Sequence, residues 1–489
     1  MDKEFEYYAI LGVTQQATPD QIRAAFTTLS GKIPQNQQDK QTNPAYARLL
    51  TAYEVLSDPD RRATYDSLLA ETKAFSLVNL QVKASRDRIK VSDVEQVVYL
   101  LVNILPPAQE SKQRPLNLSL VLDRSTSMQG SRLSHVKTAV ELIVNRLTQA
   151  DVLSIVSFSD RSEVVVPAGK VENPTAVIGQ LRAVQASGGT EIFQGLLAGW
   201  QELSKADLSK YTNQLILLTD GHTYGDTAQC LELAQRMADQ NVGICAFGLG
   251  TEWNDNFLDK LVSPSGGQSD FIEQPQEIIA HLQKRIQGLG TIYAQNITFN
   301  TSLHKQVAVK YGFKLEPFAQ PLSLEKETLQ LGNLEGRAAV SILLELVIAP
   351  NQVETRINLP VEVKVDVPGP QLHEQTFKHT HCLYVLSEIP KEIPPDDIVE
   401  AVRVMNMYRM NEKVWQEVEA GRLDVAATRM RHLSTRLLEA GEPALAQQAQ
   451  QEMDRISQAG TMSLEGRKKL KYGTRALIDR TQMNKKQHD

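Results

Sequence analysis

The chain has 489 residues, which at roughly 150 per domain is too long for one hydrophobic core and points to about three. An apolar share of 42% and a charged share of 22% describe a folded globular chain and exclude a disordered, collagenous or membrane-embedded one. With 52 basic against 58 acidic side chains the net charge is -6, too weak a field to argue by itself for nucleic acid or a strongly acidic partner.

The opening MDKEFEYYAILGV carries acids where a secretion signal needs bases, so no export is expected. Residues 1–70 then read as helices alone. Apolar side chains recur at helical spacing through Ile22, Ala25, Phe26 and Leu29, and again through Tyr46, Leu49, Leu50, Tyr53 and Leu56. Pro19-Asp20 opens the first of these helices and Asn43-Pro44 the second. From Phe75 to Pro107 the period falls to two, at Leu80 and Val82 and at Ile89 and Val91, ahead of a dense apolar strand over Val97–Leu105.

Residues 114–289 alternate strand and helix, the pattern of a doubly wound parallel sheet covered on both faces. Its strands are LNLSLVLD, DVLSIVSF, QLILLTD and VGICAFGLG. Strands return after residue 290 with NITFN, VAVKY, VSILLELVI, LPVEVKVDV and TFKHTHCLYVL. The simplest arrangement joins residues 75–113 and 290–389 into one discontinuous β-sandwich, with the α/β domain inserted in it. Beyond Pro390 a helical bundle over 391–482 is expected, punctuated by Gly421, Gly441 and Gly460, and only the last residues, TQMNKKQHD, read as disordered. The fold class is therefore multidomain, α/β plus β plus α. Nowhere does an apolar run approach the ~20 residues of a membrane span. Cys230, Cys245 and Cys382, odd in number and far apart, fit reduced thiols in a cytoplasmic setting.

One constellation carries chemistry. The strand LNLSLVLD ends at Asp123 and runs into Arg124-Ser125-Thr126-Ser127, a carboxylate followed by hydroxyls at alternate positions. Thr190 follows Ser187-Gly188-Gly189 at a helix start, and Asp220 ends QLILLTD just before Gly221. Doubly wound sheets gather ligands at the carboxyl ends of their strands, so these three loops can meet there. All are hard oxygen donors, which suits Mg²⁺ or Mn²⁺ and not zinc. DxSxS, GGT and TDG, in this order on these elements, resemble the metal-ion-dependent adhesion site of von Willebrand factor type A domains. That resemblance covers residues 114–289. It implies that Asp123, Ser125, Ser127, Thr190 and Asp220 hold a divalent cation, directly or through water, and that a carboxylate of a protein ligand completes the coordination. By the same resemblance PQEIIAHLQKRI is the domain's last helix.

Residues 5–69, with YYAILGV, QIRAAFTTL and AYARLLTAYEVLSDPDRRATYD, resemble a J-domain. The loop after its second helix reads Lys32-Ile33-Pro34-Gln35-Asn36 where the family has His-Pro-Asp, and the preceding helix is poor in base. The family's chaperone partner is therefore not expected.

Other groups point less far. His379 and His381 alternate on a strand with His373 nearby, and read as a solvated strand face; His222 reads as a loop cap that could act as a base beside the metal loop. Arg467, Lys468, Lys469, Lys471 and Arg475 read as the charged face of a terminal helix, and Met405, Met407 and Met410 as core. No GxxxxGK[ST], HExxH or GxGxxG is present. The expectation is a non-enzymatic interaction protein with a Mg²⁺ or Mn²⁺ site and no nucleic-acid partner. A J-type co-chaperone and a Mg²⁺-dependent phosphate-ester hydrolase are the alternatives.

Overall fold

The computed structural model describes residues 7–13, 17–31, 44–66, 78–107, 114–223, 225–289, 291–336, 338–367 and 374–486. They fall into two compact units, Met1–Leu77 and Val78–Asp489.

The first unit contains helices α1 (Tyr7–Leu11), α2 (Pro19–Gly31) and α3 (Pro44–Ser57), with residues 59–66 also helical. Thr18 and Gln21 cap α2 reciprocally: the Thr18 amide donates to Gln21 Oε1 at 2.9 Å and the Gln21 amide to Thr18 Oγ1 at 3.3 Å. Tyr8, Leu11, Ile22, Leu49, Ala52, Leu56 and Tyr65 form its core. The Lys32–Asn36 loop lies outside the described residues.

The second unit is built on three sheets. Its α/β part orders the strands β6-β5-β4-β7-β8-β9. They are β4 (Leu116–Asp123), β5 (Val152–Phe158), β6 (Ser162–Lys170), β7 (Thr212–Thr219), β8 (Val242–Leu249) and β9 (Ser269–Ile272). Every neighbouring pair is parallel except β5 with β6, an antiparallel edge whose half-exposed residues give only a weak strand signal. β4 and β7 are buried along their whole lengths, as central strands covered on both faces must be. Leu118, Leu120 and Leu122 pack against α4 (Ser131–Val144) and α9 (Ile278–Leu289). Val121 points the other way, toward α6 (Ile192–Leu203), α7 (Thr227–Asp239) and α8 (Asp255–Val262). A further helix, α5 (Pro174–Ala183), precedes α6.

The flanking sheets run β1-β3-β14-β11-β12 and β13-β10-β15-β16-β2. Strand β3 (Gln96–Leu105) pairs antiparallel with β14 (Val340–Ile348), and β2 (Arg88–Lys90) pairs parallel with β16 (Gln375–Leu386). Strands made before the α/β segment thus complete sheets made after it. The remaining strands are β1 (Asn79–Ala84), β10 (Ile292–Asn300), β11 (Val307–Glu316), β12 (Gln320–Pro321), β13 (Thr328–Glu335) and β15 (Thr355–Asp366). Leu101, Phe313, Leu315 and Leu343 meet the C-terminal helices, while the alternate residues Leu100, Val102, Ile342 and Leu344 are buried on the other face, toward the sandwich interior.

Helices α10 (Asp396–Glu419), α11 (Leu423–Glu439), α12 (Pro443–Ala459) and α13 (Leu464–Lys486) close the chain, and Gly421, Gly441 and Gly460 end three of them at positive φ. Met405 and Met407 are core. Two expectations are corrected here. Helix α13 runs to Lys486 through most of the tail read as disordered. Its bases Arg467, Lys468, Lys471 and Arg475 are buried rather than solvated, because α8 presents Asp255 and Asp259 to Arg467, Lys471 and Arg475, and the Thr251 and Trp253 carbonyls accept from Lys468. Among the described residues no helix is long and apolar enough to cross a membrane.

Candidate metal centre

The strand order places β5 and β7 on opposite sides of β4, so the chain leaves β4 in one direction and returns in the other. The crevice this opens at the carboxyl ends of β4 and β7 is where such sheets bind ligands. Asp123 is the last residue of β4, and the parallel register sets it beside Thr219, which ends β7. Thr219 Oγ1 donates to Asp123 Oδ2 at 2.6 Å, and the Ser125 amide donates to Asp123 Oδ1 at 2.8 Å. Ser125 Oγ and Ser127 Oγ lie 3.0 Å apart, and Ser127 Oγ donates to Asp220 Oδ1 at 2.7 Å. Asp123, Ser125, Ser127 and Asp220 therefore share one hydrogen-bonded cluster.

Thr190 enters from the loop before α6. A Cβ at Gly221 would lie 2.9 Å from Thr190 Oγ1, so the TDG turn and Thr190 pack at a distance that only glycine allows. Two further links set the loops against each other. The Thr126 amide and hydroxyl both donate to the Gly188 carbonyl at 3.0 Å, and the Ser187 amide donates to the Arg124 carbonyl at 2.7 Å. Asp226 joins the third loop to the second by accepting from the Phe193 amide at 2.8 Å.

Asp123, Ser125, Thr190 and Asp220 are buried and Ser127 is exposed, which leaves the serine at the mouth. Burial pushes the Asp123 carboxyl up to about 6, against the hydrogen bonds from Ser125 and Thr219, and the neighbouring Asp220 pushes in the same direction. Two buried carboxylates close enough to repel each other, joined only by neutral hydroxyls, form a donor set that suits a hard divalent cation. No thiol or imidazole belongs to it.

Two residues of the cluster escaped sequence reading. Thr219 orients Asp123, and its signal was the polar residue that closes the apolar run from Leu215 to Leu218 in β7. Arg132, in the first turn of α4, places Nη1 2.5 Å from Asp220 Oδ2. His222 is exposed and His381 Nε2 lies 3.0 Å from Asp87 Oδ1; His373 lies outside the described residues. Among the described residues no three His, Cys, Asp or Glu side chains form a metal-binding group, so a mixed carboxylate and hydroxyl set is the arrangement to consider.

Three segments match family models: the DnaJ domain at residues 6–66, the von Willebrand factor type A domain at 117–285, and the Sll0103-like, C-terminal alpha-helical domain at 396–480. Over 341 residues the chain is 27% identical to the uncharacterized protein sll0103 of Synechocystis sp., covering 67% of this chain and 80% of that one. Over 63 residues it is 43% identical to the chaperone protein DnaJ of Carboxydothermus hydrogenoformans, a stretch that covers 12% of this chain and 16% of that protein. Among solved structures, von Willebrand factor type A from Catenulispora acidiphila is similar in fold, with a TM-score of 0.66 at 14% identity over 82% of this chain and 96% of that one. Type A domains bind protein ligands, and their DxSxS motif holds a divalent metal. Residues 117–285 of this chain are a von Willebrand factor type A domain, and residues 6–66 are a DnaJ domain.

Proposed function

We propose that this chain is a cytoplasmic, non-enzymatic interaction protein that captures a protein ligand through Mg²⁺ or Mn²⁺ held by Asp123, Ser125, Ser127, Thr190 and Asp220. The observation that carries the reading is the convergence of these side chains from three distant loops on one crevice, with both carboxylates buried. When bound, the cation offers a coordination position to a carboxylate of the ligand. Two carboxylates nearly neutralise a dication, and the neutral hydroxyls add no charge to repel an incoming acid. We read the chain in four parts. Residues 1–70 form the DnaJ-like part, 75–113 with 290–389 the sandwich, 114–289 the metal-bearing domain and 391–482 the helical part.

The test is a Mn²⁺ titration of the full chain, followed by affinity capture in Mg²⁺ and in EDTA, for wild type and Asp123→Ala. Mn²⁺ binding and metal-dependent capture are expected of wild type, with both lost in the variant. Equal capture in EDTA, or an unchanged Mn²⁺ affinity in Asp123→Ala, refutes the reading.

A further inference from the structure

Arg132 sits where its own helix least favours a cation. It is the second residue of α4, at the end where the backbone dipole is positive and acids are preferred. Its guanidinium turns back over the helix start, with Nη1 2.5 Å from Asp220 Oδ2 and 3.2 Å from the Ser127 carbonyl oxygen. The Asp220 side chain is 0% exposed and that of Arg132 is 34% exposed, so a solvated cation lies over a buried carboxylate. On its far side, a Cβ at Gly250 would come within 3.1 Å of Arg132 Nη2. The loop beginning there is held in turn by Lys468 of α13, whose ammonium donates to the Thr251 and Trp253 carbonyls.

Resting on the metal reading above, we infer that Arg132 is the resident counter-cation of Asp220 and sets the affinity of the site by competing with the divalent ion for that carboxylate. With Oδ1 accepting from Ser127 and Oδ2 from Arg132, both oxygens of Asp220 are engaged by the protein itself. A dication that takes Asp220 as a ligand meets the positive charge of the guanidinium at the same carboxylate. Like charges at a buried site interact strongly, so the two cations exclude one another. The long side chain of Arg132 can swing outward into water when the metal enters, at the expense of its two hydrogen bonds. Arg132 is a positioning residue in this scheme: it touches a metal ligand, and its charge reaches the metal through that ligand.

The experiment is a calorimetric Mn²⁺ titration of the full chain as wild type, Arg132→Gln, Arg132→Lys and Asp123→Ala, with thermal unfolding of each in EDTA and in Mn²⁺. Arg132→Gln is expected to tighten the Mn²⁺ Kd by about tenfold or more, with Arg132→Lys in between, because lysine keeps the charge as a shorter, more strongly hydrated ammonium that gives up the carboxylate more readily than Arg132 Nη1. In EDTA the glutamine variant is expected to melt below wild type, since Asp220 is left buried without a cation, and saturating Mn²⁺ is expected to close that gap. If Arg132→Gln does not fold, Arg132→Lys carries the test in the same direction. An unchanged or weaker Kd in the folded Arg132 variants, with Asp123→Ala still abolishing binding, overturns this inference and leaves the metal centre standing. Absence of Mn²⁺ binding in wild type and the Arg132 variants alike overturns both.

Discussion

The contact between α13 and α8 is a buried charge cluster whose cost of disruption follows from its geometry. Asp259 accepts a two-pronged contact from Arg475, with Nη2 at 2.6 Å and Nη1 at 3.1 Å, and a third from Lys471 at 2.8 Å. Side-chain exposure is 1% for Lys471 and 6% for Arg475, so neither cation has water to turn to. Burial works against the Asp259 carboxylate, but Arg475 and Lys471 together outweigh it and hold its pKa well below the ordinary range. Lys471 keeps a second acid in Asp255, at 2.6 Å. Among the described residues Arg475 has no second acid within ion-pair distance; its other partners are the Tyr408 and Ser269 hydroxyls at 3.1 and 3.4 Å and the Tyr408 and Tyr472 rings. Asp259→Ala therefore strands one buried guanidinium, the kind of loss that costs about 3–5 kcal/mol. At ~1.4 kcal/mol per tenfold, local opening of α13 becomes roughly 100- to 4,000-fold more frequent. Hydrogen exchange read by mass spectrometry tests this directly. The α13 amides are expected to exchange faster by that factor, while those of β15 stay close to wild type. Removing both charges with Asp259→Leu and Arg475→Met is expected to restore most of the protection, because no orphaned ion remains. Unchanged α13 protection in Asp259→Ala refutes the argument.

Two further outcomes are expected of the second unit. Lys314 is fully buried, donating to the carbonyls of Gly266 at 3.0 Å and Leu331 at 2.7 Å, and burial pulls its pKa down to about 7 even though Glu335 opposes the shift. Between about 7 and its ordinary value the unfolded chain holds a proton that the folded chain has released, so stability rises with pH across that window. The urea midpoint of wild type is expected to gain on that of Lys314→Met from pH 7 to pH 9; parallel pH curves refute this. At Gly266, φ is +61° and an added Cβ would lie 2.2 Å from the Gly332 nitrogen, so Gly266→Ala forces two backbones apart. It is expected to destabilise by more than about 1–3 kcal/mol, whereas Gly179→Ala within α5, where a Cβ meets open space, is expected to gain about 0.4–1 kcal/mol in thermal unfolding.

The α/β core was legible because β4, β5, β7 and β8 are mostly apolar, interrupted by a few polar side chains such as Asn117, Ser154 and Gln214, and because Asp123, Thr190 and Asp220 each lie at or next to the end of an element with a local signature. The edge strand β6 was not, since SEVVVPAGK is half solvated and contains a proline, which an edge can accept. Sequence also misjudged α13. Five bases within nine residues look like a surface from one element's composition; Asp255 and Asp259, on a helix some two hundred residues earlier, turn Arg467, Lys471 and Arg475 inward, while Lys469 stays at the surface with Glu273 and Glu465. Arg132 escaped for the same reason: its role depends on Asp220, a long-range partner that periodicity does not report.

The pairing of β3 with β14 bears on the order in which this chain can fold during synthesis. Strand β3 leaves the ribosome early, apolar along nearly its whole length, and its long antiparallel neighbour does not exist until residues 340–348 have been made. Every strand of the α/β sheet is made in the interval, from Leu116 to Ile272, so that sheet can close first. The sandwich then closes across the base of a domain already formed, and α13 docks last on the acids of α8. Until β14 emerges, β3 has one edge without a strand to pair with it, which makes it a segment of the nascent chain open to edge-to-edge aggregation.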